Sequence, residues 1–163
     1  MRDLIRSQID ILISLITTCS IVIVDRVTKQ FFASLLDVGE SIPVIPNIIH
    51  FSLVHNTGIA FGLFKDHGLV FIIVPIIAII LLVFNIYYYQ QNGQVLSRLY
   101  IVAFSLILAG AIGNLIDRIM FGYVVDFIDL RLWPVFNVAD SAITIGAVII
   151  AISCFRLSTP KKI

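Results

Sequence analysis

Long apolar runs separated by short polar stretches dominate the chain. A helix that crosses a bilayer needs about 20 mostly apolar residues, and four stretches reach or approach that length, at about 7–29, 69–89, 99–116 and 138–157. The first is most apolar between Ile11 and Val24, and reaches full length if Asp10, Asp25 and Lys29 extend to the interfaces. The second is the cleanest and closes on Tyr87, Tyr88 and Tyr89, an aromatic cluster suited to the membrane–water boundary. The fourth carries Asp140 in its first turn.

The connections follow a different period. Between the first two spans, residues 30–68 form an outer loop in which Pro43 and Pro46 break any helix. The β-formers from Ile48 to Val54 then lead to the turn signal Asn56-Thr57-Gly58, which predicts a small β-sheet lying on the membrane surface. The loop is apolar for a solvent-facing segment, which suits contact with lipid or an apolar peptide. Gly58 and Gly62 are spaced as G-x-x-x-G, but outside a span this suits a tight turn or close approach to a ligand better than helix dimerisation. After the third span, FGYVVDFIDL alternates, with Val124, Asp126 and Ile128 on one side and Tyr123, Val125 and Phe127 on the other. Extended backbone here aims Asp126 back at the helices. Pro134 blocks helix continuation, and Asn137 is placed to cap the fourth span on the face it shares with Asp140 and Ser141. The predicted fold is integral membrane α-helical, with four transmembrane helices and a small extracytoplasmic β-sheet, residues 1–163 forming a single membrane-embedded domain.

Composition supports this reading. The chain is 60% hydrophobic and 13% charged, with mean hydropathy +1.06, against about half and about a quarter in soluble domains. A net charge of +1 without a basic or acidic block gives no reason to expect a nucleic-acid partner. Cys19 and Cys154 lie within apolar runs and read as small hydrophobes rather than a disulfide or a nucleophile. His50, His55 and His67 lack the spacing of a zinc site and read as packed or surface imidazoles. No small-residue cleavage site follows the first span, Thr18 is large for a lipoprotein processing site before Cys19, and Asp25, Arg26 and Lys29 come next, so the span reads as a retained anchor.

Orientation changes the picture most. Arg2, Arg6, Arg98, Arg156, Lys161 and Lys162 fall on one side and Arg26, Lys29, Lys65, Arg118 and Arg131 on the other, so the positive-inside rule places both termini in the cytoplasm. Of the ten acidic residues, all but Asp3 and Asp10 then lie on the outer side. Asp25, Asp117, Arg118, Asp126 and Asp140, distant in sequence, gather where the apolar core meets the outer interface.

Asp126 and Asp140 are the candidate pair. In one reading Asp140 pairs with Arg118 and Asp126 serves as a cap. In the other they form a carboxylate dyad around one water, where mutual repulsion and burial keep one protonated near neutrality and supply acid and base together. Asn114 and Arg118, one helical turn apart, either cap and touch lipid phosphate or position the dyad and hold a carbonyl or headgroup. Asp25 and Lys29, also a turn apart, read as an interfacial ion pair, and Asp117 as a local ion-pair or cap partner. A lysine–serine hydrolase using Lys29 with Ser41 or Ser52 is disfavoured because Asp25 keeps the lysine charged; G-x-S-x-G and H-E-x-x-H do not occur. From the residues alone, a protease and a proton-relay transporter both fit, with a non-catalytic scaffold subunit as a third reading. A transporter usually carries its site at the midplane and shows internal repeats, whereas here the acids cluster at one interface and no repeat is seen.

Four ordered motifs, DRVTK (25–29), NTGIAFGLF (56–64), GNLIDRIMFGYVVDFID (113–129) and FNVADSAI (136–143), resemble bacterial lipoprotein signal peptidase, or signal peptidase II, along nearly the whole chain. The resemblance implies an aspartyl endopeptidase of the bacterial cytoplasmic (inner) membrane that cleaves a diacylglyceryl-modified prolipoprotein before its lipidated cysteine. Its catalytic aspartates fall on Asp126 and Asp140, and its supporting positions on Asp25, Lys29, Asn56, Asn114, Arg118 and Asn137. The expected partners are that substrate and membrane lipids, the expected state is a monomer, and no cofactor or metal is implied. Ala109 stands beside Gly110 where the family often has two glycines, a departure that bears on helix packing.

Overall fold

The structure, a computed structural model, describes residues 2–58, isolated positions between 73 and 84, and residues 97–157, with side chains described from Gln8 to Ser153. Its elements are helix α1 (Arg2–Leu35), strands β1 (Ser41–Ile45) and β2 (Ile49–Asn56), helix α2 (Arg98–Phe121), strand β3 (Val124–Asp129) and helix α3 (Val138–Leu157). The described positions of the second predicted span, such as Ile73 and Ile76, are helical. Its closing tyrosines, and Gly62, Lys65 and His67, lie outside the described residues.

Two described helices, Gln8–Leu35 and Arg98–Phe121, are long and apolar enough to cross a membrane, and Val138–Ser153 forms a shorter apolar helix. Their burial is inverted relative to a soluble bundle. Ile11, Leu12, Leu15, Ile16, Ile23 and Val27 of α1 face outward, while Asp25, Lys29, Ser105, Asn114 and Asp117 are buried. Between lipid-facing helices there is little hydrophobic gain in hiding leucine, so small residues and polar pairs fill the interior. Gly146 illustrates the closeness of α2 and α3: a Cβ there would stand 2.6 Å from the Ala103 carbonyl oxygen. Gly110 is tighter still, its missing Cβ falling against the Ala139 carbonyl, and its neighbour Ala109 is fully buried. The Ser105 hydroxyl lies 2.9 Å from that of Ser14, joining α2 to α1.

Both long helices outrun the apolar stretches that mark them in the sequence. At about 1.5 Å per residue, the 34 residues of α1 extend roughly 50 Å, well beyond an apolar bilayer core of about 30 Å. Its last turns bring Phe32, and just beyond them Leu36, into a core with Leu53, Val125 and Phe127 of the sheet. The Phe32 ring stacks on Phe127 with centroids 4.4 Å apart. Helix α2 continues to Phe121 and stops because Gly122 turns left-handed (φ 79°), its N–H bonding the Arg118 carbonyl.

The sheet has the order β1-β2-β3, antiparallel throughout. Strand β1 is exposed along its length, whereas β3 is buried except at Ile128. After β3 the chain turns back so that Phe136 pairs with Ile128, and this return delivers Asn137 to the start of α3 beside Asp126. Cys19 is a free thiol on the outer face of α1.

Candidate active site

Asp126 sits in the middle of β3, only 1% exposed, and both of its oxygens accept amide hydrogen bonds. Asn137 Nδ2 donates to Oδ1 at 2.6 Å and Asn56 Nδ2 to Oδ2 at 2.9 Å. Asn56 is itself oriented by Gly58, whose N–H donates to its side-chain oxygen at 3.0 Å, so the turn after β2 aims the amide group at the carboxylate. Burial pushes the Asp126 pKa up to about 7, the nearby Asp140 adds to the rise, and the two amide donors and Lys29 oppose it.

Asp140 occupies the first turn of α3 as one half of a reciprocal cap. The Asn137 side chain accepts from the Asp140 N–H at 2.9 Å, and the Asn137 N–H donates to Asp140 Oδ2 at 3.3 Å. Asn114 Nδ2 donates to the remaining oxygen, Oδ1, at 2.7 Å. The sequence-read cap at Asn137 is therefore present, and the same side chain joins the two candidate aspartates. Ser141 turns away and bonds the Asn137 carbonyl.

Behind this pair lies a buried ionic network. The Lys29 ammonium has three acceptors: Asp25 at 2.8 Å, Asp117 at 2.9 Å and Asn114 Oδ1 at 3.0 Å. Asp25, fully buried, also accepts from the Ala139 N–H at 2.9 Å, tying α1 to the start of α3. Gly113 makes room for it, since a Cβ there would stand 2.7 Å from Asp25 Oδ2. Asn114 Oδ1 takes a second hydrogen bond from Asn137 Nδ2 at 3.1 Å, so an unbroken chain of contacts runs from Lys29 through both asparagines to both aspartates. Arg118 lies within electrostatic reach of Asp140, Asp126 and Asp117.

The structure thus brings together Asp25, Lys29, Asn56, Gly58, Asn114, Asn137, Asp126 and Asp140. The Asp25–Lys29 pair read from helical spacing is present but deeply buried rather than interfacial. Lys29 is saturated by acceptors on the helices, while Ser52 bonds Asp129 and Ser41, so the structure does not join Lys29 to a serine. Sequence reasoning gathered Asp117 at this interface as a local ion-pair or cap partner, without its partners on α1, and left Arg26 outside the site. Asp117 is fully buried, pairs with Lys29 and Arg26, and accepts from the Val125 N–H at 3.2 Å, one residue before Asp126. The available clue was its place three residues after Asn114 on the same helical face.

The family model for signal peptidase (SPase) II matches residues 17–156. The chain is a member of the signal peptidase II family. It is 42% identical over 130 residues to the lipoprotein signal peptidase of Halothermothrix orenii, covering 80% of this chain and 86% of that protein. To the lipoprotein signal peptidase of Staphylococcus haemolyticus it is 40% identical over 156 residues, covering 93% of this chain and 96% of that protein. A bacterial membrane enzyme solved by the in meso method at 2.3 Å superposes with a TM-score of 0.80 at 37% identity, covering 91% of each chain. A second, at 1.9 Å, gives 0.75 at 39% identity over 86% of this chain and 91% of that one. The helical membrane-type architecture with a small antiparallel sheet matches these two solved membrane enzymes.

Proposed function

We propose that this protein is an intramembrane aspartyl endopeptidase that removes the signal peptide of diacylglyceryl-modified prolipoproteins by cutting before the lipidated cysteine, with Asp126 and Asp140 acting on one water. The observation that carries the reading is Asp126 itself: buried, held by two amide donors, and raised to about 7 by burial and by Asp140. A carboxyl in that state holds a proton about half the time at neutral pH, which suits an acid–base pair sharing one proton.

In the proposed step the ionised member of the pair takes a proton from the water as its oxygen attacks the scissile carbonyl. The protonated member, Asp126, gives its proton to the developing oxyanion. Collapse of the tetrahedral intermediate breaks the C–N bond: the proton gained from water passes to the leaving amine, and one hydroxyl of the intermediate returns its proton to Asp126 as the carboxyl product forms, which restores the pair. Asn56, Asn114 and Asn137 hold the carboxylates in register, Lys29 with Asp25 supports them from behind, and Arg118 supplies positive charge near the pair.

The same reading extends to placement. Four spans with both termini in the cytoplasm put the aspartates near the outer face of a bacterial inner membrane, where water meets a substrate that is itself a lipid-bearing membrane helix. The protein acts as a monomer among membrane lipids. The deciding experiment is cleavage of a diacylglyceryl-modified prolipoprotein by the purified protein in detergent, beside Asp126→Asn and Asp140→Asn. Loss of cutting in both folded variants is expected; full activity in either would remove the dyad, and an inactive wild type would return the transporter and scaffold readings.

A further inference from the structure

A second polar cluster lies at the far end of the sheet, away from the helix network. The Ser52 hydroxyl is 2.7 Å from Asp129 Oδ2 and 2.8 Å from the Ser41 hydroxyl, which in turn lies 3.3 Å from His50 Nδ1. Arg131 donates its backbone N–H to Asp129 Oδ1 at 2.8 Å, while its guanidinium reaches His50 Nδ1 at 2.6 Å and Ser41 at 3.2 Å. Ser52, His50 and Asp129 are all buried. Burial works against a charge on Asp129, yet the Ser52 hydroxyl, the Arg131 N–H and the Arg131 guanidinium outweigh it and hold its carboxyl below the ordinary value. Asp129 is therefore an ionised anchor, three residues along the strand from Asp126.

Ser52 stands at a break in register. Phe51 pairs with Ile128, but Val54 pairs with Asp126, so Ser52 and Leu53 together oppose Phe127. A one-residue change of register moves every later side chain to the other face of a strand. With the bulge, Val54 stands opposite Asp126, and Asn56, two residues on, shares its face and reaches Asp126 diagonally at 2.9 Å. Were the pairing of Phe51 with Ile128 continued without it, Asp126 would oppose Leu53 and Asn56 would point to the opposite face.

Asp129 also governs the turn after β3. Its Oδ1 holds the Arg131 N–H where the backbone turns left-handed (φ 62°), and the chain then returns to pair Phe136 with Ile128 and present Asn137. One carboxylate thus ties the bulge that aligns Asn56 to the turn that brings back Asn137, the two donors on Asp126.

We propose that Ser52 and Asp129 are positioning residues for the cleavage, the Ser52–Asp129 contact setting the register and the return turn that present Asp126 to Asn56 and Asn137. This rests on the peptidase reading above. The test compares the rate of cleavage of a diacylglyceryl-modified prolipoprotein across pH for wild type, Ser52→Ala, Ser52→Thr, Asp129→Ala and the isosteric Asp129→Asn. Displacements of about 1 Å at a reacting group can cost on the order of a hundredfold. Ser52→Ala and Asp129→Ala are expected to lower kcat roughly tenfold to a hundredfold with KM little changed, and to move the pH midpoint that reports the aspartate pair, whose charged surroundings are Lys29, Arg118 and Asp140. Ser52→Thr keeps the hydroxyl and is expected to restore both. A purely structural role would lower the folded amount but leave the midpoint where it is in the wild type, so an unmoved midpoint overturns the proposal. Where an alanine variant yields no folded protein, the midpoint of Asp129→Asn decides in the same way. An inactive wild type would instead overturn the peptidase reading.

Discussion

The side-chain amide of Asn137 donates to Asp126 Oδ1 at 2.6 Å while its oxygen accepts from the Asp140 N–H at 2.9 Å. One asparagine therefore caps a helix and couples two carboxylates from different elements. The roles separate by substitution. Asn137→Ser keeps a capping oxygen and loses the buried amide donor to Asp126 and Asn114, so it should cost about 1–3 kcal/mol of stability while kcat falls roughly tenfold or more. Asn137→Ala loses the cap as well and should cost about 1 kcal/mol further, read from thermal unfolding in detergent.

Cleavage should depend on pH through Asp126. Its carboxyl is raised to about 7, so the proton that the proposed step gives to the oxyanion is present below that value and leaves as pH rises through it. The rate of prolipoprotein cleavage is expected to fall on the alkaline side with a midpoint near 7; a flat profile from pH 5 to about 9 would contradict this assignment.

The same shift bears on stability. The folded state binds the Asp126 proton more tightly than an unfolded chain does, the ordinary value being 3.8 and the folded one about 7. Its contribution is therefore fully present below pH 3.8 and is lost as pH rises to about 7. The unfolding temperature of the wild type should be higher at pH 5 than at pH 8, and Asp126→Asn, which cannot titrate, should shrink that difference.

Lys29 neutralises two fully buried carboxylates, Asp25 and Asp117. Lys29→Met keeps the apolar stem but leaves both acids without their shared cation. Removing one partner from a buried ion pair typically costs about 3–5 kcal/mol. A loss of that order is expected in detergent unfolding; a stability equal to that of the wild type would mean that the acids find other partners.

Gly110 and Gly146 let α2 approach α3 at different distances from the site. Gly110 lies against the Ala139 carbonyl, next to Asp140, and Gly146 against Ala103, more than a turn further along. Either glycine replaced by alanine should destabilise by about 1–3 kcal/mol through overpacking. Only Gly110→Ala is expected to reduce kcat in proportion exceeding the loss of folded protein, as measured by cleavage per folded enzyme.

The sequence by itself determined the apolar, membrane-type character, the helices around residues 7–29, 99–116 and 138–157, the sheet-forming loop and the cap at Asn137. Each of these rests on local information: apolar length, helix-breaking prolines, alternation, and a side chain bonding a backbone three residues away. Spacing within one helix was enough to pair Asp25 with Lys29, and the gathering of acids at one interface was enough to make Asp126 and Asp140 the candidate pair. Only the tertiary structure decided the relationships between elements distant in the chain. Asp117 serves Lys29 and Arg26 across 88 and 91 positions of sequence rather than its neighbour Arg118 alone, because packing α1 on α2 brings those charges together. The bulge at Ser52 and its bond to Asp129, 77 positions away, were likewise invisible, since strand register is a property of a pair of strands and not of either one. Helix ends also shifted: α1 continues to Leu35 because Phe32 finds a partner in Phe127, a contact that no apolar run in the sequence announces.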